Sequence, residues 1–583
     1  MIYLSLISFL QMFILPGTFL FLIVSPKKIR LFLSLAIIVA LSAICNYFLV
    51  VLLILLKIYI PLSLYIIMCI EVIGIAVLLK IRKFQIEKLN INTDIFSKVA
   101  VLLSCLIILS YFYNILTTYP KIFSSWDDVV SWNRWASVFY SGKIPEDTQH
   151  YPQCLTALWS ISYVLYGNVI EFLPKATVPI FIYLTCLCLI EEGGFKKIFS
   201  SVVAGILIMY SFYKTGYVHS GYMDIPVSAI AFLSIIIFNL AEIRRSKKLL
   251  LLSSVIAISS GLIKQAGIFV AIILFIMILL FYRFETKKEM FKFVLFYFFA
   301  FIFILGSFYI YTELNILRGK NGSEIPYVTN GIYKGIPFYK RIFPALKSFF
   351  KDNIILLVFL PFIFLQKNKK NIFIGIFGIA YLLIWSAFYS YDRRNGFLSY
   401  PFIIYSGCHG IEFFVKTYNL QIKNFFVLCK KYIIKNKTLV ISIVGLIFIT
   451  LLVLVNRKMT MDFFITKQNN QKMERGGDIG KFINLYYSDN QEESRYLSNF
   501  QPLGWTADGS YTKSKYQSYF FDNVEDFKLK LMSGEFDYFC LAAGDANEEI
   551  ISYVNKKIQE KVFVVLYGID FPYFIKVANK DAL

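Results

Sequence analysis

Long apolar stretches dominate this sequence and restrict it to one class of fold. A helix that crosses the hydrocarbon core of a bilayer needs about 20 mainly apolar residues, and about fourteen runs of the chain meet this condition. Only 16% of the 583 residues are charged, whereas about a quarter is usual in a soluble domain. The sequence therefore predicts a polytopic α-helical membrane protein and excludes a disordered, fibrous or wholly soluble chain. The predicted spans are residues 4–24, 31–56, 59–80, 97–116, 173–190, 198–213, 223–241, 249–262, 265–282, 292–313, 353–366, 371–389, 397–415 and 437–455.

Basic residues between the spans predict the orientation of the chain. Lys and Arg accumulate on the cytoplasmic side of a membrane, and here they concentrate in every second connecting segment, namely 25–30, 80–88, 191–197, 242–248, 283–292, 366–370 and 416–437. We expect these segments in the cytoplasm. The N-terminus and, after fourteen crossings, the C-terminus then lie outside, together with loops 117–172, 214–222, 314–352 and 390–396.

The formal net charge of +22 follows this membrane pattern and does not indicate a nucleic-acid partner. Residues 1–456 hold 43 basic and 19 acidic side chains, whereas residues 457–583 hold 16 basic and 18 acidic ones. Richness in Lys, Ile, Asn and Phe is typical of an AT-rich bacterial genome. We therefore predict a multi-pass protein of the cytoplasmic (inner) membrane of a bacterium.

The composition changes after Val455, where the long apolar runs end. Residues 536–544 and 561–570 are typical of buried strands, and residues 547–559 between them have the period of an amphipathic helix. This order of strand, helix and strand predicts a small soluble α/β domain over residues 457–583.

Acidic residues stand where the outer loops meet the ends of spans. Asp127 and Asp128 follow a span by about ten residues, in a stretch with four of the six tryptophans, and Asp224 opens a later span. Carboxylates at a membrane surface can serve as general bases. The alternatives are a solvated acidic pair beside an aromatic belt, and for Asp224 an acid that stabilises the start of a helix.

Three basic residues lie on the same predicted side, against the usual charge preference. Lys264 interrupts two apolar runs, and Arg393 and Arg394 lie just outside a span. Paired arginines suit a phosphate, because a guanidinium forms bidentate, charge-assisted hydrogen bonds with it. The alternatives are a lysine that snorkels to the interface, and a salt bridge from the arginines to Asp392 or to the first loop.

Taken together, these motifs resemble the GT-C superfamily of membrane glycosyltransferases, which includes the protein O-mannosyltransferases and the aminoarabinose transferases of lipid A. The resemblance covers residues 97 to the end, and residues 1–96 supply three extra spans before it. The chain is accordingly divided into N-terminal extra transmembrane helices (1–96), a GT-C-like transmembrane catalytic domain (97–456) and an extracytoplasmic soluble α/β domain (457–583). The motifs that carry the resemblance are Trp126-Asp127-Asp128, Tyr151-Pro152, Gly221-Tyr222-x-Asp224, Lys264-x-x-Gly267, and Asp392-Arg393-Arg394 before Leu398-x-x-Pro401.

The resemblance implies an enzyme that takes a sugar from a polyprenyl-phosphate carrier on the outer face of the membrane. It implies an inverting transfer of that sugar to a glycan, lipid or protein of the cell envelope, with membrane lipid around the site and no nucleic acid. Asp127 or Asp128 is then the general base, and Asp224 orients the acceptor or shares a divalent cation with them.

The remaining roles follow from the same resemblance. The residues expected at the donor phosphate are Lys264, Arg393 and Arg394. The residues expected to position the acceptor are Trp126, Arg134, Tyr151, His219 and Tyr222. No cofactor is certain: Mg²⁺ or Mn²⁺ stays open, with Asp127, Asp128 and Asp224 as its ligands if one is present.

Other functions remain open on the sequence alone. A transporter or flippase for a lipid-linked or anionic solute needs polar groups at mid-membrane, where only Glu71, His409 and Glu412 fall. A polymerase or ligase of surface polysaccharide is a second alternative, and the C-terminal domain counts against it. A non-catalytic scaffold is a third.

Overall fold

The described residues up to Thr417 form mainly a bundle of helices. The computed structural model describes residues 2–26, 28–82, 84–87, 95–125, 127–145, 148, 151–192, 198–317, 336–390, 392–417, 465–468, 471, 494–498, 516–519, 524–533, 538–541, 548–567 and 573–578. The α-helices of the bundle are α1 (Ile2–Phe13), α2 (Leu15–Val24), α3 (Leu31–Leu55), α4 (Pro61–Arg82), α5 (Ile95–Thr118), α6 (Arg134–Tyr140), α7 (Cys154–Tyr166), α8 (Phe172–Thr177), α9 (Ile180–Glu192), α10 (Ala204–Lys214), α11 (Asp224–Arg244), α12 (Lys247–Ser260), α13 (Ala266–Phe281), α14 (Lys287–Leu317), α15 (Phe338–Asp352), α16 (Ile354–Leu365), α17 (Lys369–Phe388) and α18 (Ser399–Thr417). Shorter elements are the π-helical segments Asp128–Asn133 and Ile198–Val203, the 3₁₀ turn Arg393–Gly396, and a parallel pairing of β1 (Lys28–Ile29) with β2 (Gln85–Ile86).

Helices occupy every predicted span except 437–455, which lies outside the described residues. The count of fourteen crossings is not confirmed. Among the described residues, eight helices are long and apolar enough to cross a membrane, or nine if the bent pair of α15 and α16 is counted as one span. Some predicted spans are interrupted: the first breaks at Ile14, where Pro16 lies in the first turn of α2 and has no N–H to donate.

The segment predicted as one long outer loop over residues 117–172 contains a buried helix. Every residue of α7 is buried, because the helix is apolar or small on all sides and packs against α1, α3 and α6. Its 13 residues are too few to cross a membrane. The predicted outer connection over residues 117–172 therefore contains a buried helix, and periodicity alone does not show what covers a short apolar run of this kind.

A second helix, α15, lies in the outer loop predicted over residues 314–352. It is bent by 107° from α16. Tyr400 donates its hydroxyl to Asn353 Oδ1 at 2.6 Å at the bend, and the ring of Phe349 packs on Trp385 with centroids 5.1 Å apart. Exposed Phe338 and Phe343 alternate with lysines and an arginine along the helix. An amphipathic helix of this kind is typical of a membrane interface.

The connecting segments sort to the two ends of the bundle, as their charges predict. At one end Arg244 contacts Glu87 at 2.5 Å, and Arg30 donates to the carbonyl oxygens of Glu191 and Glu192 at 2.9 Å. These residues belong to the segments expected in the cytoplasm. Helix α11, in which Asp224 to Ala241 are all buried, runs from this end to Asp224 over 21 residues, which is about 30 Å at the helical rise.

The C-terminal part of the chain contains a five-stranded mixed sheet. Its strands are β3 (Ser494–Ser498), β4 (Tyr516–Tyr519), β5 (Tyr538–Leu541), β6 (Phe563–Tyr567) and β7 (Tyr573–Val577), in the order β4-β3-β5-β7-β6, with helices α19 (Val524–Met532) and α20 (Glu548–Gln559). Phe527, Phe539, Val554, Phe563 and Ile575 form part of its core. The predicted strand, helix and strand are β5, α20 and β6, but β7 lies between the two strands and pairs antiparallel with both. Its boundaries and solubility stay predictions.

The backbone is closely packed at Gly267, in the turn between α12 and α13 that contains Lys264, and this packing can be tested. A methyl group on Gly267 would lie 2.2 Å from the carbonyl carbon of Ser260, which is backbone and cannot move alone. We expect Gly267→Ala to destabilise the protein by about 1–3 kcal/mol. The matched control is Gly306→Ala in α14, where the nearest atom is 3.4 Å away and the change adds up to about 1 kcal/mol of helix stability. Thermal unfolding in detergent checks this, and equal midpoints for the two variants would contradict the packing.

Candidate functional site

Asp127 and Asp128 lie where a π-helical segment starts, at the end of the bundle opposite Arg244. Asp128 is completely buried, and its Oδ2 accepts a hydrogen bond from the backbone N–H of Gly221 at 3.3 Å. A side chain at position 221 would collide with Cβ of Asp128 and with the ring of Phe123, each at 2.7 Å. Glycine is therefore required for the loop before α11 to approach the first acidic pair.

Arg394 connects two of the acidic side chains. Its Nη2 donates to Asp127 Oδ2 at 2.9 Å, and its Nε donates to both carboxylate oxygens of Asp392 at 2.8 and 3.1 Å. Nη2 also contacts Asp392. The alternative that the sequence left open, a salt bridge to Asp392 or to the first loop, is thus realised with both partners. Among the described residues, Nη1 of Arg394 is buried and has no hydrogen-bond partner.

Tyr222 lies under the guanidinium of Arg394. The centre of the guanidinium is 3.7 Å from the centroid of the Tyr222 ring and 5.6 Å from that of Tyr217, which are cation–π contacts. Burial raises the pKa of Tyr222 to about 12, although the charge of Arg394 opposes the shift. The phenol therefore stays neutral near pH 7 and cannot act as a general base there.

Lys264 and Asp224 form a second ion pair in the same site. Lys264 Nζ lies 2.5 Å from Asp224 Oδ1, and the exposed fractions of the two side chains are 12% and 6%. Lys264 also donates to Asn395 Oδ1 at 2.8 Å. Asn395 follows Arg394 in the 3₁₀ turn, so this contact joins the Lys264–Asp224 pair to the Arg394 group.

The 3₁₀ turn is held by aromatic side chains of α17. Trp385 Nε1 donates to the carbonyl of Asp392 at 2.9 Å, and the Tyr381 hydroxyl donates to the carbonyl of Asn395 at 2.8 Å. Burial raises the pKa of the Asp392 carboxyl, but the hydrogen bonds and charge of Arg394 outweigh burial and hold this pKa below its usual value. Asp392 is therefore ionised at neutral pH.

The acidic residues of the site differ in access to solvent. The Asp127 side chain is 38% exposed, whereas the Asp224 side chain is 6% exposed and Asp128 is fully buried. Of these three, only Asp127 has a side chain with a substantial exposed fraction. The sequence did not separate Asp127 from Asp128, and the two differ in burial.

The other predicted site residues differ in burial and in the side chains that they contact. Arg393 is exposed on the same turn as Arg394. Arg134 begins α6 and is half-buried. Tyr151 packs against the rings of Trp132 and Trp135, with centroids 5.4 and 6.2 Å away. Trp126 lies outside the described residues.

His219 lies beside the site and contacts a different group of side chains. Its ring packs on Tyr213 with centroids 5.6 Å apart. Burial, followed by the charges of Lys175 and Lys121, lowers the pKa of His219. Its imidazole is therefore neutral at pH 7, so it offers hydrogen bonds and no fixed positive charge to a ligand.

The three acids considered for Mg²⁺ or Mn²⁺ do not form a metal site. Asp127 contacts Arg394, Asp224 contacts Lys264, and Asp128 contacts the backbone of Gly221. In the part of the chain that the structure describes, no three His, Cys, Asp or Glu side chains converge on one point. The residues present therefore do not fit a divalent cation.

Sequence reasoning missed Asn395 and Tyr217, and it named Asp392 in a motif and as an alternative salt-bridge partner without assigning it a role in the site. Asn395 directly follows the arginine pair, and Tyr217 lies five residues before Tyr222. Neither position has a periodicity or a motif of its own. Their roles arise from contacts across the bundle, which local sequence does not encode.

No protein-family model and no curated protein sequence matches this chain. Among solved structures, it is similar to ArnT from Cupriavidus metallidurans in the apo state, with 9% identity, a TM-score of 0.49 and coverage of 82% of this chain and 98% of that chain. It is also similar to the same protein bound to undecaprenyl phosphate, with 10% identity, a TM-score of 0.48 and coverage of 83% and 98%. Similarity of this size does not establish a family, and the resemblance to the GT-C superfamily stays a prediction.

Burial of the Lys264–Asp224 pair predicts how substitutions at these residues change the free energy of unfolding. Removing one partner of a buried pair leaves an uncompensated charge, and Lys264→Met is expected to cost about 3–5 kcal/mol. The double variant Lys264→Met/Asp224→Asn is expected to recover part of this loss. Lys247→Met is the control: its contacts with Glu285 and Glu289 are at a largely exposed amine, so only a small loss of stability is expected. Unfolding in detergent measures all of these, and equal losses from Lys264 and Lys247 would contradict the buried pair.

Proposed function

We propose that this chain is an integral membrane glycosyltransferase that moves a sugar from a polyprenyl-phosphate donor to a hydroxyl group of a cell-envelope acceptor. One observation carries the proposal. Four segments that are distant in sequence bring Asp127, Tyr222, Lys264 and Arg394 together at one end of the bundle. A partly exposed carboxylate beside two cations supplies a base for a hydroxyl and counter-charges for a leaving phosphate.

Asp127 is the general base in this proposal. Its side chain is 38% exposed, whereas Asp128 is buried and accepts a hydrogen bond from the loop before α11. The acceptor oxygen attacks C1 of the donor sugar, and the bond from C1 to the phosphate oxygen breaks. The hydroxyl proton passes to Asp127, and the bonding electrons leave with the polyprenyl phosphate. A single displacement of this kind inverts the configuration at C1.

Lys264 and Arg394 stabilise the negative charge that develops on the leaving phosphate, with Arg393 at the exposed edge. The donor must compete for these cations. Asp127, Asp224 and Asp392 bring three negative charges to the two positive charges of Lys264 and Arg394. A phosphate therefore binds well only if it replaces a carboxylate on a cation.

Asp127 is the carboxylate that the phosphate replaces. Asp392 holds Arg394 through several hydrogen bonds from within the same turn, whereas Asp127 makes one contact at 2.9 Å and is more exposed. Donor binding then frees Asp127 Oδ2 to accept the proton of the acceptor. The base is thus released when the donor is in place.

The remaining assignments belong to the same proposal. The acceptor-positioning role is assigned to Trp126, Arg134, Tyr151, His219 and Tyr222, and the Tyr222 ring also contacts the guanidinium of Arg394. The membrane is the cytoplasmic membrane of a bacterium, and the site and residues 457–583 face away from the cytoplasm. This orientation is supported by the basic residues that meet at the opposite end of the bundle.

No specific observation favours a transporter. Glu412 accepts a hydrogen bond from Ser200 and contacts Lys416 at 2.5 Å, and the His409 ring packs on Tyr405. Glu71 lies on α4, a helix that is mostly exposed around the bundle. His409 and Glu412 lie one turn apart on α18, whereas Glu71 belongs to a different helix.

Transfer activity tests the role of Asp127. Purified protein in nanodiscs is incubated with a panel of labelled polyprenyl-phosphate sugars and an envelope extract. We expect Asp127→Asn to lower the transfer rate by about 10²–10⁴-fold, as expected for loss of a general base. Asp392→Glu is a control that keeps a carboxylate on Arg394 and is expected to retain more activity. Full activity of Asp127→Asn would eliminate this base, and a panel in which no donor is consumed by the wild type would eliminate the transferase.

Binding of the carrier tests the exchange at Arg394. Asp127→Asn removes the negative charge that competes with the phosphate, and we expect it to bind polyprenyl phosphate more tightly by about tenfold, the effect of about 1.4 kcal/mol. Glu412→Gln at the opposite end of α18 controls for a general change in charge. Calorimetry or a fluorescent carrier in nanodiscs gives the affinities. Weaker or unchanged binding by Asp127→Asn would show that the ion pair and the phosphate do not compete.

A further inference from the structure

Two glutamines far along the chain hold the loop that leads to Asp127. The carboxamide of Gln471 accepts from the backbone N–H of Ile122 at 3.0 Å and donates to the carbonyl of Pro120 at 2.7 Å. A primary amide carries both a donor and an acceptor, as a peptide group does. Gln471 therefore satisfies two backbone groups of the loop with one side chain, across 349 positions of sequence.

Gln468 makes the same pair of bonds with a second loop. Its Oε1 accepts from the N–H of Glu171 at 2.8 Å, and its Nε2 donates to the carbonyl of Val169 at 2.6 Å. Gln468 is 3% exposed. Water is thus largely excluded from these bonds, and loss of either partner leaves a buried backbone group unsatisfied.

Glu171 joins the two loops to each other. Its Oε2 accepts from the backbone N–H of Phe123 at 2.9 Å, and the residue is 1% exposed. The Phe123 ring stacks on Trp159 of α7 with centroids 4.7 Å apart, and it borders Gly221 together with Asp128. The contacts therefore run without a break from Gln468 and Gln471 to the acidic pair.

From these contacts we infer that Gln468 and Gln471 are positioning residues that fix the start of the first outer loop, and with it Asp127, from the C-terminal part of the chain. The inference rests on the proposed function for its catalytic consequence. Its structural part, the coupling of two loops through two carboxamides, stands on the hydrogen bonds alone. Nothing in the sequence motifs assigns either glutamine a role.

Gln468 and Gln471 follow α18 in the sequence, and the inference explains how they affect the site at Asp127. Ile122 lies five positions before Asp127, so a shift of the loop moves the base relative to Arg394. Reacting groups must be held within a fraction of an ångström of their working geometry. Two hydrogen bonds from Gln471 to the loop before Asp127, and two from Gln468 to the loop that contains Glu171, meet this need.

Hydrogen–deuterium exchange and transfer kinetics on the full chain in nanodiscs test the inference. Gln471→Ala frees the Ile122 N–H, and Gln468→Ala frees the Glu171 N–H. We expect exchange in the peptides over 119–125 and 168–173 to become about tenfold faster or more. The rate constant kcat is expected to fall about tenfold to a hundredfold, with little change in KM for the donor. Gln559→Ala, at an exposed position of α20, is the matched control.

Gln471→Glu keeps the test decisive if an alanine variant folds poorly. Glutamate retains the acceptor for the Ile122 N–H but has no donor for the Pro120 carbonyl. We expect slow exchange at Ile122 together with a reduced kcat. The inference would be overturned if Gln468→Ala, Gln471→Ala and Gln471→Glu all had the same exchange rates and the same kcat as Gln559→Ala. A wild type without transfer activity would refute the proposed function, while faster exchange in the alanine variants would still support the coupling of the loops.

Discussion

The ion pairs of Arg394 decide how this end of the bundle is built. A guanidinium whose side chain is only 14% exposed has lost most of its water, and leaving such a charge without partners costs about 3–5 kcal/mol. Asp392 comes from the same turn, but Asp127 and the Tyr222 ring come from other segments. Arg394 is therefore stabilised only when three segments are folded against each other: the outer loop, the start of α11 and the turn before α18. Lys264 and Asn395 extend the same constraint to the turn between α12 and α13.

The sequence predicted the parts of this arrangement that depend on composition and spacing. Apolar runs gave the helices, and basic residues sorted the connecting segments to two ends, as Arg244 and Glu87 illustrate. Asp127, Asp224, Lys264 and Arg394 were found because charged residues at the ends of spans are unusual. The choice between Asp127 and Asp128 depends on burial, and the roles of Asn395 and Gln471 depend on contacts across hundreds of residues. None of these has a local pattern. The buried α7 was missed because a short apolar run does not reveal what covers it.

The N-terminal helices support the site indirectly. Ser5 of α1 bonds to the Tyr166 hydroxyl at 2.9 Å, and Tyr59, before α4, bonds to Ser160 at 2.7 Å. Both partners lie on α7, whose Trp159 stacks on Phe123. Gln11 and Asn46 tie α1 to α3 with buried amide hydrogen bonds. Helices α1 and α3, which lie outside the resemblance to GT-C enzymes, therefore pack against α7. Through α7 they support the position of Phe123 in the first outer loop.

The bend of 107° between α15 and α16 sets α15 across the direction of α16. Helix α15 has the amphipathic sequence typical of a helix at the level of the lipid headgroups, and contacts of Asn353 and Phe349 hold it beside the turn that carries Arg394. A helix at that level would bring the cations of the site near the height of the lipid phosphates. A molecule with a long isoprenoid tail could diffuse sideways within one leaflet and present its phosphate there, with its tail still dissolved in the membrane. Encounter becomes a two-dimensional search, in which concentration per unit area matters more than solubility.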